Sequence, residues 1–470
     1  MQQPVKATVV NICRTGAVWV CLVSVMGGDP ARAQVTLYSQ TDIGHSTAAS
    51  AVHPVSTPTA DDERHAHSEH RPGVALPELP SPPTPSNVDT GKSFWDWQHL
   101  TDDWGGRRPA MEERGFTLDA DLYSDTSAAL SGRPAGSPAA MHRLLFNLDL
   151  TIDTERLDLW DDGTAFIDFQ IQRGPHGSDS WGDFQGFSNI DAPDLKQVSQ
   201  VWLEQRYQED RWRIKIGKVD ANSEFAYSDH AGLFLNSSFG ISPTIFALPT
   251  YPDPATSINV FWKPSSVVRF GVGLYDGGGV HGIPTGSRAI RIRFLGGSDL
   301  FAIGQVDVTW DDAELPGRLG LGAWYHTGDF RQFDESVSSG TGNTFLVFDQ
   351  WLCRTATEDG ERGLALSLQL GLADPEISEV RSHVGTGLVC YGPLWQRPED
   401  QLGAGITWVE FSDTGTVPGS GQSETAWELI YKTRVTKWWE LDFDIQAATA
   451  SGGLNRPTLV TGTLRNTLRF

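Results

Sequence analysis

Thr458-Leu-Val-Thr-Gly-Thr-Leu-Arg-Asn-Thr-Leu-Arg-Phe470 decides the fold. Successive side chains of a strand point to opposite faces. One face of this stretch carries Thr458, Val460, Gly462, Leu464, Asn466, Leu468 and Phe470, and the other carries Leu459, Thr461, Thr463, Arg465, Thr467 and Arg469. The first face is mostly apolar; the second is mostly hydroxyls and guanidiniums. A soluble core does not take two arginines four residues apart on one face of a strand. A barrel in a membrane does, with its apolar side to lipid and its polar side to a wet lumen. An edge strand of a soluble sandwich would also alternate, so the rest of the chain has to decide.

The period-2 pattern recurs upstream. Phe116, Leu118, Ala120 and Leu122 alternate with Thr117, Asp119, Asp121 and Tyr123; Trp439, Leu441, Phe443 and Ile445 alternate with Glu440, Asp442, Asp444 and Gln446. Segments 116–124, 143–153, 163–172, 198–208, 211–219, 257–263, 267–275, 288–295, 301–310, 318–326, 343–352, 362–371, 383–391, 401–411, 424–432, 437–447 and 458–470 all have strand character. That is one too many, because bacterial single-chain barrels have an even number. Periplasmic turns are short and outer loops long. With Phe470 at the periplasmic rim, long and short connections alternate back to 301–310. A strand at 288–295 breaks that phase for everything upstream; a loop there restores it. The expectation is an all-β, sixteen-stranded antiparallel transmembrane β-barrel over 116–470, with 125–142, 173–197 and 220–256 outside. Segment 220–256 is the longest insertion. It is a candidate to fold into the lumen as a constriction through Asp220, Asn222, Glu224 and Asn236, and the loop with Arg288, Arg291 and Arg293 is a second candidate.

Composition bounds the alternatives. A net charge of −23 argues against a nucleic-acid partner, since phosphate binding needs a basic face. Frequent Trp (17) and Gly (49) suit aromatic girdles and tight turns. Mean hydropathy is −0.29, and beyond the N-terminal segment no apolar run is long enough for a membrane-spanning helix. A barrel escapes that test because half of every strand is polar. Residues 1–33 read as an export signal: Lys6 and Arg14, a short apolar run from Thr15 to Met26, and Ala31-Arg-Ala33 at the cleavage position. Residues 34–91 are rich in Pro, Ser, Thr and Ala and cannot bury a core, so they read as a disordered periplasmic tether. Within them His65, His67 and His70 lie near Asp61, Asp62 and Glu63. Nothing preorganises these groups, and we read them as a solvated tract, with no metal or other cofactor expected. Outside the signal, Cys353 and Cys390 remain. Two strands apart, their Cα atoms would be about 10 Å from one another, beyond the roughly 7 Å a disulfide tolerates, unless turn residues close the gap.

Residues 92–115 read as a short N-terminal helical segment, with Thr101 or Asp103 as its cap and Gly115 at its end. Here a resemblance enters. Leu100-Thr-Asp-Asp-Trp-Gly-Gly-Arg107 with Glu113-Arg-Gly-Phe116 is similar to the opening of the carbohydrate-selective porins of the OprB family. So are Ile216-Gly-Lys-Val-Asp-Ala-Asn-Ser-Glu-Phe225, Phe234-Leu-Asn-Ser-Ser-Phe-Gly240, Tyr251-Pro252, Val272-Gly-Leu-Tyr-Asp-Gly277, Leu315-Pro-Gly317, Tyr391-Gly-Pro393 and Arg397-Pro-Glu-Asp400. The resemblance runs from about Trp95 to the end. It implies an outer-membrane porin of sixteen strands that passes sugars by diffusion.

A sugar is neutral, rich in hydroxyls, and apolar on its ring face. A pore that favours it needs paired donors and acceptors beside aromatic surfaces, and weak sites. Inward donors are Arg213, Lys215, Arg269, Arg465 and Arg469. Inward acceptors are Asp119, Asp121, Asp149, Asp168, Glu204, Glu440, Asp442 and Asp444. Tyr123, Trp202 and Tyr275 are the aromatic platforms. Ring closure places Arg465 and Arg469 between the acids of 119–121 and those of 440–444. For any one residue the plainer role is to pair with a neighbour and hold the wall. A phosphate or general-solute pore would instead want a basic ladder without nearby carboxylates. An outer-membrane hydrolase is a further alternative, but the sequence has neither G-x-S-x-G nor H-E-x-x-H. The expected partners are a carbohydrate solute, outer-membrane lipid, and the barrel-assembly machinery through Phe470, for a monomer or a trimer.

Overall fold

The structure, a computed structural model, describes residues 93–281, 299–310, 315–357, 360–394, 397–413 and 421–470. The proposed signal and tether, the histidines at 65, 67 and 70, and Arg288, Arg291 and Arg293 lie outside the described residues.

The strands are β1 (Phe116–Ser131), β2 (Ala140–Asp153), β3 (Gly163–Arg173), β4 (Leu195–Tyr207), β5 (Trp212–Val219), β6 (Ala255–Trp262), β7 (Val268–Asp276), β8 (Leu300–Trp310), β9 (Gly317–Arg331), β10 (Val337–Thr357), β11 (Gly360–Leu372), β12 (Val380–Tyr391), β13 (Gln401–Phe411), β14 (Ser423–Thr436), β15 (Trp439–Thr449) and β16 (Leu459–Arg469). Each pairs antiparallel with its sequence neighbours, and β1 pairs with β16, so the sheet closes into a sixteen-stranded barrel. β7 pairs directly with β8, so the described strands close the ring at sixteen, and 288–295 lie outside the described residues. The two faces separate as alternation demands. Ile167, Leu203, Ile216, Val272, Leu321 and Leu464 are exposed on the outside, while Thr461, Thr463, Arg465 and Thr467 are buried inside.

Several strands outrun the sequence expectation. β1 continues to Ser131 rather than 124, and β10 covers Val337–Thr357 rather than 343–352. A one-sided apolar pattern exists only where one face meets lipid, and a tilted strand needs about ten residues to cross it. Beyond that belt small and polar residues fall on both faces and the one-sided signal stops. The connection expected at 125–142 therefore shrinks to 132–139.

The N-terminal segment corrects another expectation. Helix α1 (Arg107–Glu112) is preceded by Gly106 at φ 85°, with no side-chain cap. Asp103 instead accepts the Gly105 N–H at 2.8 Å, and Thr101 accepts the Trp104 indole N–H at 3.0 Å. Both side chains are engaged in the turn before the helix starts. Arg108 is buried and donates to the carbonyls of Leu118 (2.8 Å) and Phe470 (2.7 Å), clasping the seam where β1 meets the chain after β16. Cys353 and Cys390 are not bonded to each other; both flank Leu364, one on each side of β11.

Candidate functional site

Two loops fold into the barrel. The loop 220–254, between β5 and β6, is tied at its base by the Asp220 carboxylate. That group accepts Asn222 N–H (2.8 Å), Tyr251 N–H (3.1 Å) and the Thr250 hydroxyl (2.7 Å). Phe225, Ile245 and Leu248 then pack against the inward side chains Phe261, Phe301, Trp324 and Phe345. From there the loop crosses the lumen. Ala226 N–H reaches Gln305 of β8 at 2.9 Å, and Ser242 meets His383 of β12 at 3.0 Å. Asn236 donates to Gln446 of β15 at 3.1 Å. The loop 174–194, between β3 and β4, folds in from the adjoining hairpin, with Trp181 and Phe187 against Met141, Ala426, Ala448 and Leu459. The loops meet through Asn189 N–H to Leu235 O (2.7 Å) and Ser237 N–H to Gly186 O (2.8 Å). Together they narrow the lumen.

Where the first loop leaves the wall, four sequence-predicted residues converge. Arg213 and Lys215 project inward from β5, Glu204 from β4, and Glu224 from the loop. Arg213 donates to Glu204 at 2.9 Å and to Glu224 at 2.5 Å. The Lys215 ammonium lies 2.6 Å from Glu224 and 3.3 Å from Glu204. Burial raises the Glu224 carboxyl, but the Arg213 hydrogen bond and the charges of Lys215 and Arg213 outweigh it and hold the group below its ordinary value. The Lys215 ammonium also sits 3.8 Å from the centre of the Trp202 ring, which stacks on Phe166 at 4.9 Å. The result is donors, acceptors and a pair of rings without a dominant sign.

The other predicted residues are distributed around the ring. Arg269 pairs with Asp307 at 2.8 Å. Asp168 faces Asp149 directly across β2 and β3. Arg469 bridges Glu440 (3.1 Å) and Asp121 (3.9 Å), as closure required. Arg465 departs from expectation. Its guanidinium bonds Asp125 at 2.7 Å and Asn189 at 2.8 Å, not Asp442, although Asp442 is its register partner on β15. Asp125 belongs to the part of β1 that the sequence reading cut off. Asp119 turns to Arg108 at 3.6 Å. Asp220 and Asn222 hold the loop's own fold, and Asn236 both caps the turn at Ser238 and ties the loop to Gln446 of β15. Tyr275 is fully buried under the loop and offers no platform. Arg291 and Arg293 lie outside the described residues.

Sequence reasoning missed that loop 174–194 also folds into the barrel, and it missed Asp125, Asp349, Glu424 and Glu428. A signal for the last two existed: Glu424, Ala426, Glu428 and Ile430 occupy one face of a strand, and two acids beside apolar groups on an inward face point to a specific partner. The loop had no comparable mark.

Residues 139–470 match the family described as carbohydrate-selective porin, OprB family. The chain is 23% identical over 401 residues to Porin B of Pseudomonas aeruginosa, covering 75% of this chain and 87% of that protein. It is likewise 23% identical over 345 residues to the putative porin QuiX of Acinetobacter baylyi, covering 68% and 77%. Among solved structures, Pseudomonas putida OprB at high pH superposes with a TM-score of 0.71 at 18% identity. That match covers 81% of this chain and all of the other, and so shares its fold.

Proposed function

We infer the transport function from one premise: the chain belongs to the carbohydrate-selective porin (OprB) family. It is an outer-membrane porin for carbohydrates. The observation that carries a finer reading is the four-charge cluster beside the Phe166–Trp202 stack. Arg213 and Lys215 each have both Glu204 and Glu224 within reach, so a neutral polyol exchanges hydrogen bonds with a surface of no net sign. The stack supplies aromatic surface for the apolar face of a sugar ring beside the charges, with Lys215 already over one face of Trp202. An anion gains little there, because each cation is already neutralised. In this reading glucose-like mono- and small oligosaccharides pass by diffusion between the two infolded loops, and the chain catalyses nothing. Phe470 serves assembly: its N–H bonds Ala120 O at 2.8 Å and its ring meets Phe146 edge-on at 6.5 Å, which ties it to the seam.

The test is reconstitution, with liposome swelling by glucose and dose-dependent block of single-channel current across a panel of mono- and disaccharides. Flux and block by small sugars, with weak ion selectivity, are expected. Strong anion selectivity with no sugar block would overturn the reading in favour of a phosphate or general anion pore.

A further inference from the structure

Several inward carboxylates of the wall do not face solute. They receive the main-chain N–H groups of the infolded loops. Glu428 of β14 accepts Leu235 N–H at 2.6 Å and Asn236 N–H at 3.1 Å. Asp349 of β10 accepts the Ser228 hydroxyl at 2.5 Å, Asp229 N–H at 3.1 Å and His230 N–H at 3.2 Å. A main-chain donor cannot rotate away as a side chain can, so these bonds fix where the loop's backbone lies. Charged acceptors make them stronger than neutral ones.

Between these two anchors the wall is hollowed to receive the loop. Gly387 and Gly405 are direct partners across β12 and β13. A Cβ on Gly387 would come within 2.4 Å of the Phe234 ring, and one on Gly405 within 2.5 Å of the Phe239 ring. Phe234 and Phe239 stack on each other at 4.3 Å and are buried in that notch. A larger residue at either glycine has to push the loop toward the lumen axis or out of its seat.

We propose that Glu428, Asp349 and the Gly387–Gly405 notch are positioning residues that set the size limit of the channel without touching solute. This rests on the reading of loop 220–254 as the constriction. Glu428→Gln keeps one acceptor oxygen but turns its N–H₂ toward the other of the two N–H groups, and removes the charge. It should shift the loop toward displaced positions about tenfold, the effect expected when buried hydrogen bonds to a charge are lost. Asp349→Asn acts the same way at a second anchor, and Gly405→Val acts through packing alone.

The experiment measures the size cut-off of each variant by exclusion of graded polyethylene glycols from the open channel in planar bilayers, and disaccharide-to-monosaccharide flux in liposomes. Glu428→Gln, Asp349→Asn and Gly405→Val are expected to change the cut-off and the flux ratio. Glu428→Asp, which keeps the charge, should restore most of the wild-type value. The heat-modifiable folded form is expected to persist, because barrel closure needs only strand–strand bonds. If Glu428→Gln does not assemble, the other two variants read the same quantity. An unchanged cut-off in assembled variants at all three positions would overturn the proposal. Polymer exclusion does not depend on sugar transport. A wild-type channel that excludes large polymers but carries no sugar would break the functional reading, while the variants would still test the positioning role.

Discussion

Two stretches of wall carry inward glutamates and use them in different ways. At β4 and the base of loop 220–254, Glu204 and Glu224 meet Arg213 and Lys215. On β14, Glu424 and Glu428 meet the backbone: Phe184 (2.9 Å), Gln185 (3.0 Å) and Gly452 (2.6 Å) for the first, Leu235 and Asn236 for the second. The residue type is the same, but the partner decides the job. Long cationic side chains can loosen and trade partners with a passing hydroxyl. Main-chain donors are held by the loop and trade nothing. A lumen carboxylate is thus a candidate solute contact only where its partners are themselves mobile.

The largest test of this contrast removes the cation. Arg213→Ala leaves Glu224 with Lys215 alone and Glu204 with Lys215 and Arg206, and breaking such a partly buried ion pair costs about 3 kcal/mol. The constriction also gains negative charge. Reversal potentials in a salt gradient should move strongly toward cation selectivity, and sugar block should weaken. An unchanged reversal potential would show that the cluster does not face the permeation path.

Glu424→Gln is the matching change on the other side. It should cost the seat of loop 174–194 about 2 kcal/mol through lost charge-assisted bonds, with little effect on ion selectivity. Faster hydrogen exchange at Phe184 and Gln185 would report it. Strongly altered selectivity would erase the distinction between the two walls.

The two loops should also answer pH in opposite senses. Asp183, in loop 174–194, is pushed up to about 7 by burial and then by the charge of Glu424. An unfolded aspartate titrates near 4, so between about 4 and 7 the seated loop binds the extra proton. Its seating strengthens as pH falls through 7 and weakens above. Glu224 is held low, so its contribution is present above the ordinary glutamate range and is lost only as pH falls through that lowered value. Going from pH 8 to 5.5 should therefore tighten loop 174–194 and leave the Glu224 contact intact. Proteolytic nicking of each loop across that range checks this, with Asp183→Asn expected to abolish the dependence.

Most of the barrel was legible because lipid imposes a one-sided pattern on every crossing. The phase of long and short connections, fixed from Phe470, also led to a wall of sixteen strands, the number that closes it. What failed lay above the lipid belt. There β1 and β10 continue without a sustained apolar face, and Asp125 was lost with the end of β1. Arg213, Lys215, Glu204 and Glu224, which the structure brings into contact, were readable as inward groups because three of them alternate on short strands and the fourth lies early in the longest insertion. The inward apolar faces of Phe301, Ile303, Trp324 and Phe345 were not interpretable from sequence, because they cover a loop from a distant part of the chain. Main-chain acceptors such as Glu428 leave no sequence trace of their partners at all.

The smallest expected effect concerns the rings. Trp202 has two roles in this geometry: it stacks on Phe166, and it carries the Lys215 ammonium over its face. If sugar rings lie on it, Trp202→Ala should weaken block by about 1 kcal/mol, the usual worth of one such aromatic contact. Trp202→Phe keeps a face and should lose only part of that. If the ring serves only to hold Lys215, both substitutions would alter ion selectivity and leave sugar affinity where it was. Measuring block constants and reversal potentials on the same two variants separates an aromatic platform from a prop for the charged cluster.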